Sequence, residues 1–408
     1  MKIALTTDSF VEGHGGVSTS VGALARSLRQ RGHQVTVYTS ADPSQRRSDL
    51  AIVGLRALRY KRFPGGRVPL APISLIKEMA NFNPDVIHNH SMGTMGIQAL
   101  AAARLLGTPI LGTCHVFLAG FLQYAPIFLQ GMPFAKDIAW RYTAIFFNRF
   151  PQVTTPSASM RRELVFHGLR APVAAISNGV DIDLFSPQGY QMLDSSQVTL
   201  LHVGRLGYEK RVDTILRAFA HLASDHRNVS LRIVGDGPES DALRSLSTDL
   251  GVAARVRFTG FVPHSRLSEI YRQASLFVTA STIETQGLVV LEAMSSGLPI
   301  VGVDALALPD LIQQGANGYL VAPEDELALA DAMVRLLRSD ELRDAMGRES
   351  RRLALEHSLF AVARNYEALY EQVGSQGPSR LLIRIPAKLD PLEAWAALHR
   401  RSDTEKCL

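Results

Sequence analysis

The sequence contains only two cysteines, Cys114 and Cys407, among 408 residues. Two distant cysteines give no disulfide framework and favour a reducing compartment. No apolar stretch is long and charge-free enough to predict a membrane span, and the first residues lack a signal-peptide pattern. Zinc-finger and RNA-binding signatures are also absent, and a formal net charge of +5 does not indicate nucleic acid. We therefore expect a cytoplasmic protein without a nucleic-acid partner.

The chain is long enough for two domains, because 408 residues exceed what one ordinary core serves and 46% of them are hydrophobic. Apolar patterns predict strands, most of them separated by helical patterns. The predicted strands are 2–8, 34–39, 85–88, 109–113, 152–155, 173–177, 198–203, 231–235, 256–260 and 276–279. This alternation predicts an α/β fold with doubly wound parallel sheets, which gather ligands at the carboxyl ends of their strands.

Glycines and histidines follow several predicted strands. Gly15 and Gly16 come after the first strand and open an apolar-periodic helix, which favours a phosphate-binding loop over a simple tight turn. The G-x-G-x-x-G spacing is missing, which argues against a dinucleotide site. His88 and His90 have no cysteine or carboxylate nearby, so we expect no metal there. His115 is the better functional candidate, with an ordinary loop histidine as its alternative.

Two glutamates flank a glycine after the last predicted strand of the series. Glu284 is followed by Gly287, which allows the backbone to approach a ligand closely, and Glu292 lies in the next predicted helix. The amides that open this helix favour an anion. The alternative is a pair of helix-end carboxylates, the first stabilised by the helix dipole.

Charged residues follow one further predicted strand, and a glycine-containing run follows another. Arg205 and Lys210 follow strand 198–203, and the run Gly235-Asp236-Gly237 follows strand 231–235. Arginine can bind two phosphate oxygens at once, and lysine adds a point charge. Ordinary surface charges are the alternative interpretation.

Together these motifs resemble the retaining glycosyltransferases with two Rossmann-like domains, known as family 4. The spacing of Glu284 and Glu292 is similar to the family's E-x7-E motif. Arg205 and Lys210 resemble its G-R-x-x-x-x-K motif. The run Asn178-Gly179-Val180-Asp181 resembles the family's sequence at the inter-domain crossing. The resemblance covers residues 1 to about 373. The run from Thr282 to Val289 is similar to enzymes that add glucose, mannose or sulfoquinovose to lipids.

The resemblance implies a GT-B fold and metal-independent transfer of a hexose from a nucleotide-diphosphate sugar, with UDP-glucose preferred, at retained configuration. It implies catalytic roles for Glu284, His115, Arg205 and Lys210. The implied donor site comprises Gly15, Gly16, Asn178, Arg205, Lys210, Gly235, Asp236, Gly237, Glu284, Gln286, Gly287, Leu288 and Glu292. Within that site, the cations and amides stabilise the departing diphosphate, Glu284 holds the sugar and Glu292 the ribose. No protein nucleophile is assigned.

The first domain has an aromatic segment and a basic segment. Residues 116–150 hold 10 of the 29 aromatic residues, and residues 50–77 hold six basic residues and no acidic one. This combination favours an anionic membrane surface, with Arg59, Lys61, Arg62, Phe117 and Phe121 as candidate acceptor or membrane contacts. The alternative is an ordinary core helix pair beside a solvated basic face.

We expect an acceptor domain at 1–187, a nucleotide-sugar domain at 188–357, a helix at 358–374 that returns to the first domain, and a tail or extra helix at 375–408. The expected activity is hexose transfer to a lipid such as diacylglycerol at the cytoplasmic membrane face. Alternatives are transfer to a soluble sugar or polysaccharide intermediate, with GDP-mannose or another donor, a sugar-nucleotide epimerase and an inert binding module. No pattern indicates an oligomeric state.

Overall fold

The structure is a computed structural model that describes residues 1–8, 10, 15–40, 49–55, 57–59, 67–69, 72–116, 118, 120, 134–187 and 197–375. Within these ranges the chain forms two parallel sheets with helices packed against them. The ten strands predicted from the sequence are all present. None of the helices in these ranges combines the length and apolar character that crossing a bilayer requires.

The first sheet has seven parallel strands in the order β3-β2-β1-β6-β7-β8-β9, beside a short antiparallel hairpin of β4 and β5. The strands are β1 Lys2–Thr6, β2 Gln34–Ser40, β3 Ala51–Leu55, β4 Ala57–Arg59, β5 Arg67–Pro69, β6 Val86–Asn89, β7 Ile110–Thr113, β8 Val153–Thr155 and β9 Val173–Ala175. The helices of this half are α1 Gly16–Gln30, α2 Pro72–Phe82, α3 Thr94–Leu106, α4 Ala135–Phe147 and α5 Ala158–Phe166. Its central strands β1, β2, β6, β7 and β8 are buried along nearly their whole length, because helices cover both faces of a doubly wound sheet.

The second sheet has six parallel strands in the order β12-β11-β10-β13-β14-β15. The strands are β10 Val198–Val203, β11 Val229–Val234, β12 Val256–Gly260, β13 Leu276–Val278, β14 Ile300–Val303 and β15 Gly318–Val321. The helices are α6 Val212–Ala223, α7 Ser240–Asp249, α8 His264–Arg272, α9 Leu288–Ser295, α10 Leu308–Leu311, α11 Glu326–Leu337 and α12 Asp340–Leu355. These elements enclose a hydrophobic core of their own.

The last helix, α13 Leu359–Ser375, returns to the first sheet. Its buried residues Tyr366 and Tyr370 join Ile3 and Leu5 of β1 in one hydrophobic cluster. The chain therefore passes between the two halves twice. The two passages lie side by side, since the amide of Leu359 donates to the carbonyl of Val180 at 3.1 Å.

The aromatic segment divides between core and surface. Trp140, Phe146, Phe147 and Phe150 are buried in the first domain's core. On the opposite face of α4, Ile138 is 56% and Ile145 58% exposed. The described part of this segment therefore has features of both sequence interpretations. Phe117, Phe121, Lys61, Arg62 and the tail 376–408 lie outside the described residues, as does the side chain of Arg59.

Candidate active site

A cavity of about 540 Å³ lies where the carboxyl strand ends of the two sheets face each other. It is lined by most of the residues that the sequence assigned to catalysis or donor binding. These are Gly15, Gly16, His115, Asn178, Arg205, Lys210, Gly235, Asp236, Glu284, Gln286, Gly287 and Leu288. His115 and Leu288 are 173 positions apart in sequence and line the same cavity, because the carboxyl edges of the two sheets face each other.

Lys210 and Glu284 form an ion pair in this cavity. Their side chains are 18% and 11% exposed, so the pair is largely removed from water. Lys210 ends a short 3-10 turn after β10, and Glu284 lies in the loop between β13 and α9. A backbone hydrogen bond joins this loop to the 3-10 turn, since the amide of Thr282 donates to the carbonyl of Glu209 at 3.2 Å. The cavity thus contains a cation and an acid that neutralise each other.

The glycines of the second domain allow its loops to pack tightly. A Cβ at Gly235, where φ is +131°, would lie 1.8 Å from the carbonyl oxygen of Gly204. Only glycine fits there, because the clash is with backbone that cannot move away. Gly237 packs in the same way against the carbonyl of Leu206 and is not among the residues lining the cavity. The two contacted residues, Gly204 and Leu206, flank Arg205, which is exposed and lines the cavity.

Gly287 begins α9 in the left-handed conformation, with φ of +88°. The first residues of the helix line the cavity, and Leu288 approaches Gly16 of the first domain there. The glycine-rich start of α1 therefore faces the start of α9 across the cavity. Two helix N-termini aimed at one space favour an anionic ligand between them.

His115 lies among other buried histidines rather than alone. Its Nε2 is 2.8 Å from Nδ1 of His90, and the side chain of Asn178 forms a hydrogen bond with it. Burial lowers the pKa of His115 to about 4 and lowers those of His88 and His90 as well, so all three are neutral at pH 7. Nδ1 of His88 forms a hydrogen bond with the hydroxyl of Tyr370 in α13, at 2.8 Å. Within the described ranges no three His, Cys, Asp or Glu side chains form a metal-binding group.

Gln286 connects the two domains. Its Oε1 accepts a hydrogen bond from the amide of Asn178 at 2.9 Å, and its Nε2 donates to Oγ of Ser177 at 2.5 Å. The side chain is only 2% exposed. Although Gln286 lines the cavity, both ends of its amide are therefore engaged by the segment that crosses between the domains.

Glu292 lies outside the smaller cavity and lines a second one of about 1360 Å³. Nε2 of His264 donates to its Oε1 at 2.9 Å, and the Tyr271 hydroxyl donates to its Oε2 at 2.8 Å. The sequence reasoning missed both partners. His264 could have been found by the same rule as His115, since it follows the end of β12 by four residues.

Comparisons with known proteins agree with this architecture. Residues 191–353 match the family model described as glycosyl transferases group 1, and residues 14–184 match the one described as glycosyltransferase family 4. The crystal structure of Anabaena Alr3699/HepE in complex with UDP and glucose superposes with a TM-score of 0.74 at 20% identity, covering 91% of this chain and 99% of that one. This likeness shows that the fold is GT-B.

Three relatives differ in substrate. The chain is 30% identical to the GDP-mannose-dependent alpha-mannosyltransferase of Mycolicibacterium smegmatis, over 91% of this chain and 98% of that protein. It is 28% identical to the alpha-monoglucosyldiacylglycerol synthase of Streptococcus pneumoniae, over 80% of this chain and 77% of that protein. It is 31% identical to the sulfoquinovosyl transferase SQD2 of Arabidopsis thaliana over 80% of this chain, and it spans 64% of that protein's length.

Proposed function

The chain belongs to the group 1 glycosyl transferases, family 4, and from that premise we propose that it transfers a hexose from a nucleotide-diphosphate sugar to a lipid acceptor. UDP-glucose is the preferred donor and diacylglycerol the preferred acceptor. The observation that carries the proposal is the Lys210–Glu284 pair in a cavity lined by the first residues of two helices. A partly buried cation, an acid and amide dipoles are the groups that a sugar with an anionic leaving group requires.

The leaving nucleotide diphosphate gains negative charge as the bond to the sugar breaks. Lys210, Arg205 and the amides at Gly15 and Gly16 lie where they can stabilise it. In the structure the charge of Lys210 is neutralised by Glu284. When the donor binds, its diphosphate replaces Glu284 as the partner of Lys210, and Glu284 accepts hydrogen bonds from the sugar hydroxyls. These fixed cations are why we propose transfer without a metal.

In the proposed reaction the bond from the sugar's anomeric carbon to the phosphate oxygen breaks, and a bond to the acceptor hydroxyl oxygen forms on the same face. The acceptor's proton passes to the departing phosphate oxygen, which gains it with the bonding electron pair. Configuration is retained without a protein nucleophile. We assign His115 to the sugar, because it lines the cavity and Asn178 and His90 hold its ring in place.

The lipid acceptor is supported by one relative and one surface. The pneumococcal relative is named for a diacylglycerol glycolipid. The outer face of α4 exposes Ile138, Tyr142 and Ile145 at helical spacing, and Arg141 and Arg149 beside them are also exposed. Apolar and basic side chains on one helix face suit the interface of an anionic membrane. We therefore propose that the protein works bound to a membrane surface.

A donor-by-acceptor screen tests this proposal. The purified protein is offered UDP-glucose, UDP-galactose and GDP-mannose with EDTA present, each with diacylglycerol in anionic vesicles and with soluble sugars. GDP-mannose is included because of the mycobacterial relative. We expect glycolipid from UDP-glucose. Transfer only to soluble sugars would overturn the lipid acceptor, and activity that EDTA abolishes would overturn metal independence.

A further inference from the structure

His264 stands between the two cavities of the inter-domain cleft. It is the first residue of α8, and it lines both the 540 Å³ and the 1360 Å³ cavity. Its ring packs edge-on against Phe185, with centroids 5.3 Å apart, and its side chain is 33% exposed. A partly open side chain in the wall of a ligand cavity can act on what enters there.

The only described hydrogen-bond partner of the His264 ring is a buried carboxylate. Glu292 is 5% exposed, and its two oxygens are held separately, Oε1 by His264 and Oε2 by Tyr271. A carboxylate has about four lone-pair sites, so one remains at each oxygen. A carboxylate held in this way presents two parallel acceptors, which match the two vicinal hydroxyls of a ribose.

Charge also favours His264 at this position. The groups that act on it are Glu292 and, from the crossing segment, Asp181, and together they raise its pKa although burial opposes this. Arg26 and Arg31 line the same large cavity but are bonded to Asp49 and Glu367. These neighbouring carboxylates favour a His264 ring that donates its N–H to Glu292.

We propose that His264 is a positioning residue for the donor, which orients Glu292 so that its carboxylate accepts both hydroxyls of the nucleotide's ribose. The proposal rests on the proposed function, since it needs a nucleotide in the cleft. It implies that the site distinguishes ribonucleotides from 2′-deoxyribonucleotides, and that this discrimination depends on the N–H of His264.

The test uses two substitutions of His264 and one control. His264→Phe keeps a ring against Phe185 but removes the hydrogen bond, whereas His264→Gln keeps an N–H donor. The control is His221→Phe, because His221 also pairs with a glutamate, Glu326 at 3.2 Å, but lies on α6 outside both cavities. Calorimetry measures the affinity of each protein for UDP, GDP and their 2′-deoxy forms, after circular dichroism has shown that each variant is folded.

We expect His264→Phe to bind UDP or GDP about ten-fold more weakly, the usual worth of a hydrogen bond to a charged group, and to lose most of its preference over the 2′-deoxy form. His264→Gln should retain both properties, and KM for the donor should change more than kcat. Unchanged affinity and preference in His264→Phe would overturn the proposal, and so would an equal loss for both sugars. If the wild type binds neither nucleotide, the proposed function itself fails.

Discussion

Removing the charge of Lys210 should destabilise the protein far more than removing an ordinary surface charge. The Lys210→Met substitution keeps the apolar stem but leaves the carboxylate of Glu284, whose side chain is 11% exposed, without its cation. Breaking a buried pair on one side costs about 3 kcal/mol, because the remaining charge stays desolvated. The double substitution Lys210→Met with Glu284→Gln removes both charges and should recover most of that loss.

Urea unfolding followed by circular dichroism at pH 7 measures these differences. Arg352→Gln is the control, because Arg352 and Glu349 form a hydrogen-bonded pair on the surface of α12, with side chains 57% and 31% exposed, and such pairs contribute less than about 1 kcal/mol. A double variant no more stable than Lys210→Met would refute the reasoning.

The same pair predicts an unusual split between binding and turnover. In Glu284→Gln, Lys210 no longer has an anionic partner and can serve the diphosphate alone. We therefore expect UDP or GDP to bind at least as tightly as in the wild type, while turnover falls strongly because the sugar loses its carboxylate. Weaker nucleotide binding by this variant, or an unchanged rate, would remove Glu284 from the position we assign to it.

Three further predictions concern the membrane face, the glycine packing and the buried histidines. Ile138→Asp with Ile145→Asp should reduce binding to anionic vesicles in co-sedimentation, whereas Leu327→Asp, at a position equally exposed on α11, should not. Gly235→Ala should lower the free energy of unfolding by about 3 kcal/mol or more, measured in urea, because its new Cβ meets backbone. Burial lowers the pKa of His115 to about 4, so its contribution to stability is complete above about pH 6.5 and is lost as the pH falls towards that lower value. Urea titrations should show a loss of about 1.4 kcal/mol per pH unit for this histidine, with more from its neighbours, and constant stability from pH 7 to 5 would contradict this.

The strands and the positions at their ends could be predicted from the sequence because their signals are local. A buried parallel strand is a short apolar run, and the residue after it lies at the ligand edge of the sheet. That rule placed His115, Lys210 and Glu284 on one cavity. It did not identify β3, β14 and β15 or the hairpin strands β4 and β5, because periodicity alone does not distinguish a short apolar run from a segment of a buried helix.

Contacts between distant residues could not be predicted, because no local pattern records them. His264 and Glu292 are 28 residues apart, and the sequence gives no sign that one holds the other. Similarly, Asp310 of the second domain accepts a hydrogen bond from the amide of Ser159 in the first at 2.7 Å, and neither residue stands out in the sequence. Such pairs become visible only when the domains are placed side by side.

Gln286 shows why this matters for the reaction. It lies two residues after Glu284 in the same loop, and its amide is bonded to Ser177 and to the amide of Asn178, whose side chain in turn contacts His115. These two hydrogen bonds attach the loop that carries Glu284 to the segment that crosses between the domains. Because the side chain of Asn178 also contacts His115, a short series of contacts connects the carboxylate proposed for the sugar with the histidine proposed for it from the other domain. The relative position of these two groups therefore depends on contacts between the domains, which no local sequence pattern records.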